Sequence, residues 1–391
     1  MRPLKFKPVY IGTIWGSEDW ILSAMEGRQT VCVEGLEAEA SVVPENFGEG
    51  AGLSLSALVE KYGARLVGDN VWNMYGNRFP LLIKYINSNQ QLSVQVHPGE
   101  EMAKEKGLPN GKTEMWYVLD AKPDSELLLG FSRRFTAPEF RTIVNNSIRE
   151  KDIAKGERTL EDVLNRFSPK RGDWYFIPAG TVHSIGAGVR ILEIQQPSDT
   201  TYRLYDFNRV DIEGKRRHLD LEDALKAIDF DERQEDYVEF QRNVFADAVS
   251  LKCSDANPVK TLSAKDVDGV AKDGSVLAKD DDPRVTPLAR CPHFVSNFLN
   301  LGGRNTSSNK TEELFRLDNS SFGTFTVLVC TSGEGTLFYR ELPSGCVRNG
   351  VSIKNGDLYL IPAELGAVDI RPAGGLQIVE AHLETAGSER E

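Results

Sequence analysis

Between Gln91 and His97 the chain reads Gln-Leu-Ser-Val-Gln-Val-His, polar and apolar residues in strict alternation. That pattern predicts a β-strand with Leu92, Val94 and Val96 on a buried face and Ser93, Gln95 and His97 on the other. From about residue 70 to 210 short runs of this β type dominate, interrupted by a helical patch from about Ala137 to Phe167. The patch opens on Thr136-Ala137-Pro138-Glu139, a capping hydroxyl followed by proline in the first turn. A second helix is predicted over Asp220 to Ile228, where Leu221, Ala224 and Leu225 recur at helical spacing. Between Ser254 and Arg284 the composition shifts to Asp, Lys, Gly, Ser and Ala, which reads as an exposed connection or a weakly structured lead-in to a second domain. Short β-runs resume from Phe294 to Glu384.

One stretch occurs twice. Arg171-Gly172-Asp173-Trp174-Tyr175-Phe176-Ile177-Pro178-Ala179 matches Asn355-Gly356-Asp357-Leu358-Tyr359-Leu360-Ile361-Pro362-Ala363 almost position for position. Each copy reads as a tight Gly-Asp turn, a buried strand and a proline bend. A repeated β-unit in each half implies a mainly β protein of two jelly-roll or barrel domains, with a few short helices on the first. The expected division is 1–250, then a polar linker or lead-in over 251–285, then 286–391. Five residues past Pro178 stands His183, whereas five past Pro362 stands Ala367, so the second domain is expected to be metal-free and structural.

Composition narrows the classes. With 391 residues and 40% hydrophobic content the chain can bury sizeable cores. A net charge of −12 argues against nucleic acid or an anionic membrane as the main partner, and Lys215-Arg216-Arg217-His218, the one basic cluster, suits a solvated turn. No apolar run approaches the ~18 residues of a spanning helix, and the opening Met1 to Lys7 lacks a signal-peptide core, so a cytoplasmic location is expected. Cys32, Cys253, Cys291, Cys330 and Cys346 form no CxxC pair, and an odd count suits reduced thiols.

The chemistry concentrates on Gln95, His97, Glu114 and His183. Two imidazoles, a carboxylate and an amide oxygen make a mixed nitrogen and oxygen site suited to zinc or another divalent first-row ion, with a position left open. Lys112, two residues from Glu114, puts a cation beside it. Arg203 offers a planar fork of donors for a phosphate or an oxyanion, or an ion pair with Asp199 or Asp206. His218, His293 and His382 stand alone.

These residues lie in motifs that resemble type I mannose-6-phosphate isomerase: Phe79 to Lys84, Ser93 to Pro98, Lys112 to Trp116, Ile177 to His183 and Glu193 to Arg203, in the family's order across roughly residues 10 to 210. The resemblance implies a cupin jelly roll, one Zn2+ per chain held by Gln95, His97, Glu114 and His183, and interconversion of mannose 6-phosphate and fructose 6-phosphate through a cis-enediolate. It puts Arg203 at the active-site arginine position, and Lys84, Ser93, Lys112 and Glu193 at polar positions of the same region. Arg203, Lys112 and Glu193 are the catalytic candidates; Ser93, Lys84, Lys112 and Arg203 are the substrate-binding candidates. Lys112 and Glu193 both qualify as the proton-carrying base. A small sugar phosphate is the expected partner, to a monomer or weak homodimer. Two other readings stand beside this one: a noncatalytic sugar-phosphate-binding cupin, and an iron-dependent cupin oxidoreductase.

Overall fold

The computed structural model describes residues 1–33, 50–149, 155–211, 213–230, 251–254, 257–261, 284–302, 314–340 and 348–384. Among these residues the chain builds two pairs of antiparallel sheets. In the first pair, a six-stranded sheet runs in the order Trp174–Ile177, Glu114–Ala121, Val189–Gln195, Leu82–Ser88, Gly16–Leu22, Val9–Thr13. Its partner is a five-stranded sheet in the order Tyr202–Tyr205, Val94–Val96, His183–Ile185, Leu127–Phe131, Leu164–Phe167. Side chains of the two, such as Trp116, Leu129 and Ile185, share one core, as a jelly roll requires.

The second pair has the same plan. A seven-stranded sheet holds Val285–Cys291, Phe294–Leu301, Leu376–His382, Thr326–Ser332 and Leu358–Ile361, and a four-stranded sheet holds Phe315–Asp318, Ala367–Pro372, Glu334–Arg340 and Arg348–Lys354. The last two strands of the seven come from the other end of the chain: Leu4–Lys7 pairs with Leu358–Ile361, in register Leu4 to Leu360, and Val31–Cys32 follows it. Of the expected connection over 251–285, only the antiparallel pair Leu251–Ser254 and Asn257–Thr261 and residues 284 and 285 are described; 255–256 and 262–283 lie outside the described residues.

The six-stranded sheet is buried on both faces. Its inner face lines the first barrel, and its outer face meets the second, where Tyr117 stacks on Phe298 at 5.4 Å and Phe176 stands edge-on to Phe294 at 6.3 Å. This explains why Leu82–Ser88 and Val189–Gln195 are almost wholly buried although each carries polar residues.

The repeated stretch is one structural device used twice. Gly172 and Gly356 adopt φ of +92° and +88°, the left-handed region that favours glycine. The following aspartates close both turns, Asp173 accepting from the Lys170 amide at 2.8 Å and Asp357 from the Lys354 amide at 3.1 Å. The strands that follow then pair with equivalent neighbours, Ile177 opposite Glu114 and Ile361 opposite Thr326.

Helices are shorter and more numerous than the hydrophobic pattern predicts. The patch expected to reach Phe167 is helical only over Ala137–Arg149, where Phe140, Ile143, Val144 and Ser147 form the buried stripe. Residues 150–154 are outside the described residues, and a single turn at Leu160–Asp162 leads into the strand Leu164–Phe167. Thr136 caps the helix as expected, and Leu221–Ala227 is the predicted second helix. Leu55–Tyr62, Ala64–Val67, Asp69–Tyr75 and Glu100–Glu105 are additional. Gly63, Gly68 and Gly76 cut the first three into pieces too short for a period of 3.6 to be legible. Among the described residues no helix is long and apolar enough to cross a membrane.

Candidate metal centre and active site

Strand register brings the predicted residues together from both sheets of the first barrel. Across the six-stranded sheet one row runs Trp20, Lys84, Glu193, Trp116, Tyr175, each directly opposite the next. The neighbouring row holds Gln195, Glu114 and Ile177. Across the five-stranded sheet a third row runs Arg203, Gln95, His183. Side chains two apart on a strand share a face, so these rows put Lys84, Glu193, Trp116, Glu114, Gln95 and His183 in one barrel interior. The strand at Gln91–His97 is shorter than its alternation suggests, with regular pairing only over Val94–Val96. Its alternation still holds, because Gln95 lies in the row beside His183.

His97, Glu114 and His183 converge. One candidate ligand atom from each lies within 4.8 Å of the others, and all three residues are about 1% exposed. His97 Nδ1 donates to the Thr200 carbonyl and His183 Nδ1 to the Thr181 carbonyl, both at 2.9 Å, which turns each Nε2 lone pair inward. Each Nε2 lies 3.5 Å from a different oxygen of Glu114. Burial, then the charge of Lys112, then that of His183 hold His97 well below the ordinary imidazole range. Burial lowers His183 to about 4, against the contrary pull of the Thr181 carbonyl. Both imidazoles are therefore neutral near pH 7, the state that binds metal.

The loop after Pro178 is what delivers His183. Gly180 turns at φ +86°, and a Cβ there would come within 3.2 Å of the Ala227 carbonyl, so the position favours glycine. Its amide donates to the His97 carbonyl at 3.0 Å, tying the two histidine loops together.

Two lysines face this centre. Lys112 Nζ is 2.8 Å from Glu114 Oε2 and donates to His97 Nε2 at 3.0 Å. Lys84 Nζ sits between Glu193 Oε2 at 2.9 Å and Glu18 Oε2 at 3.2 Å, with the Trp20 ring 5.7 Å away. Burial opposes its charge, but Glu18 and then Glu193 outweigh burial and hold Lys84 above the ordinary lysine range. Lys84 is thus a cation held between two carboxylates.

Gln95 reaches the cluster through its amide, with Nε2 3.3 Å from His183 Nε2 and Oε1 accepting from Ser93 Oγ at 3.0 Å. A half-turn of the terminal amide exchanges the two atoms, so the same side chain can offer oxygen on the His183 side. Arg203 lies at the end of its row. Its Nη1 donates to the His218 carbonyl at 3.0 Å, and burial, then the charge of Arg217, lower its pKa. Asp199 pairs with Arg28 at 2.7 Å, and Asp206 is taken by Arg209 and Arg217. Neither aspartate is the hydrogen-bonded partner of the Arg203 guanidinium.

Four residues the motifs did not single out belong to this interior: Glu18, Trp20, Trp116 and Gln195. Gln195 is fully buried and its Oε1 has no hydrogen-bond partner among the described residues, although its amide nitrogen donates to the Gln196 and Ser198 carbonyls. The alternation Glu18-Asp19-Trp20 and Glu193-Ile194-Gln195 is the signal that could have found three of them.

The centre fits a divalent ion on its donor set alone, having two neutral buried imidazoles with their far nitrogens fixed and a buried carboxylate between them. Comparison with known proteins agrees. Residues 41–132 match the family "Phosphomannose isomerase type I, catalytic domain". Mannose-6-phosphate isomerase ManA of Bacillus subtilis (strain 168) is 37% identical over 246 residues, 58% of this chain and 68% of that protein. The probable mannose-6-phosphate isomerase GmuF of the same organism is 41% identical over 170 residues, 41% of this chain and 50% of its own. The crystal structure of the B. subtilis mannose 6-phosphate isomerase superimposes with a TM-score of 0.67 at 23% identity, covering 98% of this chain and 100% of that one, which establishes the shared fold. Identity carried across more than two thirds of a relative's length, on a shared fold and around one buried donor cluster, makes this chain a member of the type I phosphomannose isomerase family.

Proposed function

We propose that this protein interconverts mannose 6-phosphate and fructose 6-phosphate, with one Zn2+ held by His97, Glu114, His183 and the amide oxygen of Gln95. The observation that carries the reading is the buried trio of two neutral imidazoles and a carboxylate beside two lysines. When bound, the metal supplies Lewis-acid stabilisation of the negative charge that develops on the sugar oxygens.

The chain's own groups do the rest. Glu193, held at one oxygen by Lys84 and at the other by Trp116, is positioned to carry the proton between C2 and C1, work worth roughly 10²–10⁴-fold. Lys112 remains near the trio and donates to an enediolate oxygen. Arg203, at the end of its row and tethered only to a backbone carbonyl in the hydrogen bonds described, suits the phosphate; holding that remote charge fixes C1 and C2 over the centre. Ser93 orients the Gln95 amide. Lys84 is proposed to set the position of Glu193 rather than to meet the sugar, because its neighbours are Glu193, Glu18 and the Trp20 ring.

A coupled assay for fructose 6-phosphate formation, with chelator and then with zinc restored, tests the whole reading. Turnover that disappears and returns supports it. A folded, zinc-loaded protein that binds sugar phosphate without turning it over would replace it with a noncatalytic sugar-phosphate-binding cupin.

A further inference from the structure

Trp116 is not among the metal or proton-carrying candidates, yet it touches three residues of the centre, Glu114, Glu193 and His183. Its indole Nε1, the ring's one donor, lies 3.1 Å from Glu114 Oε1 and 3.0 Å from Glu193 Oε1. Its ring stands edge-on to His183, centroids 5.5 Å apart at 77°. The side chain is 1% exposed and directly opposite Glu193 in the sheet, with Glu114 two residues earlier on its own strand.

We propose that Trp116 is a positioning residue that couples the metal-site carboxylate of Glu114 to the proton-carrying carboxylate of Glu193. The proposal rests on the isomerase reading above and adds a residue that acts through both groups. Each carboxylate is held at two ends. Glu193 is ion-paired with Lys84 at Oε2 and accepts from Trp116 at Oε1; Glu114 is ion-paired with Lys112 at Oε2 and accepts from Trp116 at Oε1. One shared N–H keeps two buried negative groups close to each other, where without it they would repel and separate.

The second barrel supplies an internal control. Glu380 stands opposite Leu328 there, in the register that Glu193 and Trp116 occupy in the first. A branched alkyl side chain therefore satisfies the packing of this position, and the indole N–H is a feature of the first barrel's chemistry.

The test compares wild type with Trp116→Phe, which keeps an aromatic ring and removes the donor. The expected result is a fall in kcat of about 10- to 100-fold, the cost of a small misplacement of a reacting group, with KM within about twofold and bound zinc retained. In protein labelled with 15N-tryptophan, the indole resonance missing from Trp116→Phe should move in Glu193→Gln and again on adding zinc to chelated protein. If Trp116→Phe does not fold, Trp116→Leu, the residue type at the equivalent place in the second barrel, serves both arms. Wild-type kcat in the donorless variant, or an indole resonance indifferent to both Glu193→Gln and zinc, overturns the proposal. Should wild type fail to isomerise mannose 6-phosphate, the functional reading falls while the resonance response to Glu193→Gln still decides whether the bridge exists.

Discussion

The two barrels use one ladder frame for opposite ends. In the first, Lys84, Glu193 and Trp116 lie in a row beside Gln195 and Glu114; in the second, the same register holds Asn297, Glu380 and Leu328 beside His382 and Thr326. A glutamate persists in the same place, but its company differs. Glu193 keeps a lysine and an indole as partners, within reach of a cluster whose imidazole lone pairs point inward. Glu380 is enclosed: Oε1 accepts from His382 Nδ1 at 2.7 Å and Asn319 at 3.0 Å, and Oε2 from Asn297 at 2.8 Å.

The histidines diverge accordingly. Burial lowers His97, His183 and His382 alike, but Lys112 reinforces burial at His97 and His183, whereas Glu380 and Glu384 overcome it at His382 and raise that group to about 9. The first barrel thus presents neutral nitrogen donors and the second a protonated, internally paired imidazole. The lesson is that the jelly roll supplies positions, and whether neighbouring carboxylates outweigh burial decides whether a histidine there offers a lone pair or a proton.

The sharpest break of this contrast is removal of a donor from each side. His97→Ala should lose most bound zinc and at least about 10³-fold in turnover, because the charge-stabilising ion goes with it. His382→Gln should leave metal content and kcat unchanged; zinc analysis alongside the coupled assay reads both, and metal retained in His97→Ala would remove that residue from the site. Next come the two equivalent glutamates. Glu193→Gln should cost roughly 10²–10⁴-fold in kcat with zinc kept, whereas Glu380→Gln should cost stability in denaturant melts and spare catalysis. Arg203→Ala should lower kcat/KM by roughly 10- to 100-fold, the worth of a charge-assisted contact, and unchanged kinetics would take Arg203 out of the mechanism.

The smallest effect concerns pH. His382 gains a proton more readily folded, at about 9, than unfolded, at an ordinary 6.5, so its stabilising contribution is complete below about 6.5 and is lost as pH rises through 9. The expected size is ~3 kcal/mol at most. Unfolding free energies measured between pH 6 and 10 should fall more steeply for wild type than for His382→Gln; parallel curves would refute the paired-imidazole account. Phe322 stacks on this ring at 5.3 Å, and Arg290 pairs with Glu384 beside it, so both variants should be compared at constant salt.

What could be read from sequence was whatever is local. The alternation at Ser93-Val94-Gln95-Val96-His97 put two site residues on one face, and the Gly-Asp turn preceding Trp174 and Leu358 revealed the duplication. The trio His97, Glu114 and His183 was legible as histidines and a carboxylate at strand ends. For Glu18, Trp20 and Trp116 alternation shows at most which side chains share a face; their importance arises from the pairing of strands far apart in the chain, and nothing near Glu18 in sequence announces Lys84. The helices over Leu55–Tyr75 were missed because glycines divide them, and His382 because only its partners distinguish it from any other buried histidine.

The strand Leu4–Lys7 has a consequence for how the molecule is made. It leaves the ribosome long before its partner, Leu358–Ile361. At about 5–20 residues per second, the interval between them is on the order of tens of seconds. During that time the catalytic barrel's later strands can already be paired, while this one waits with an open hydrogen-bonding edge. The seven-stranded sheet therefore cannot close until Leu358–Ile361 has been made, and its closure joins two strands far apart in the sequence.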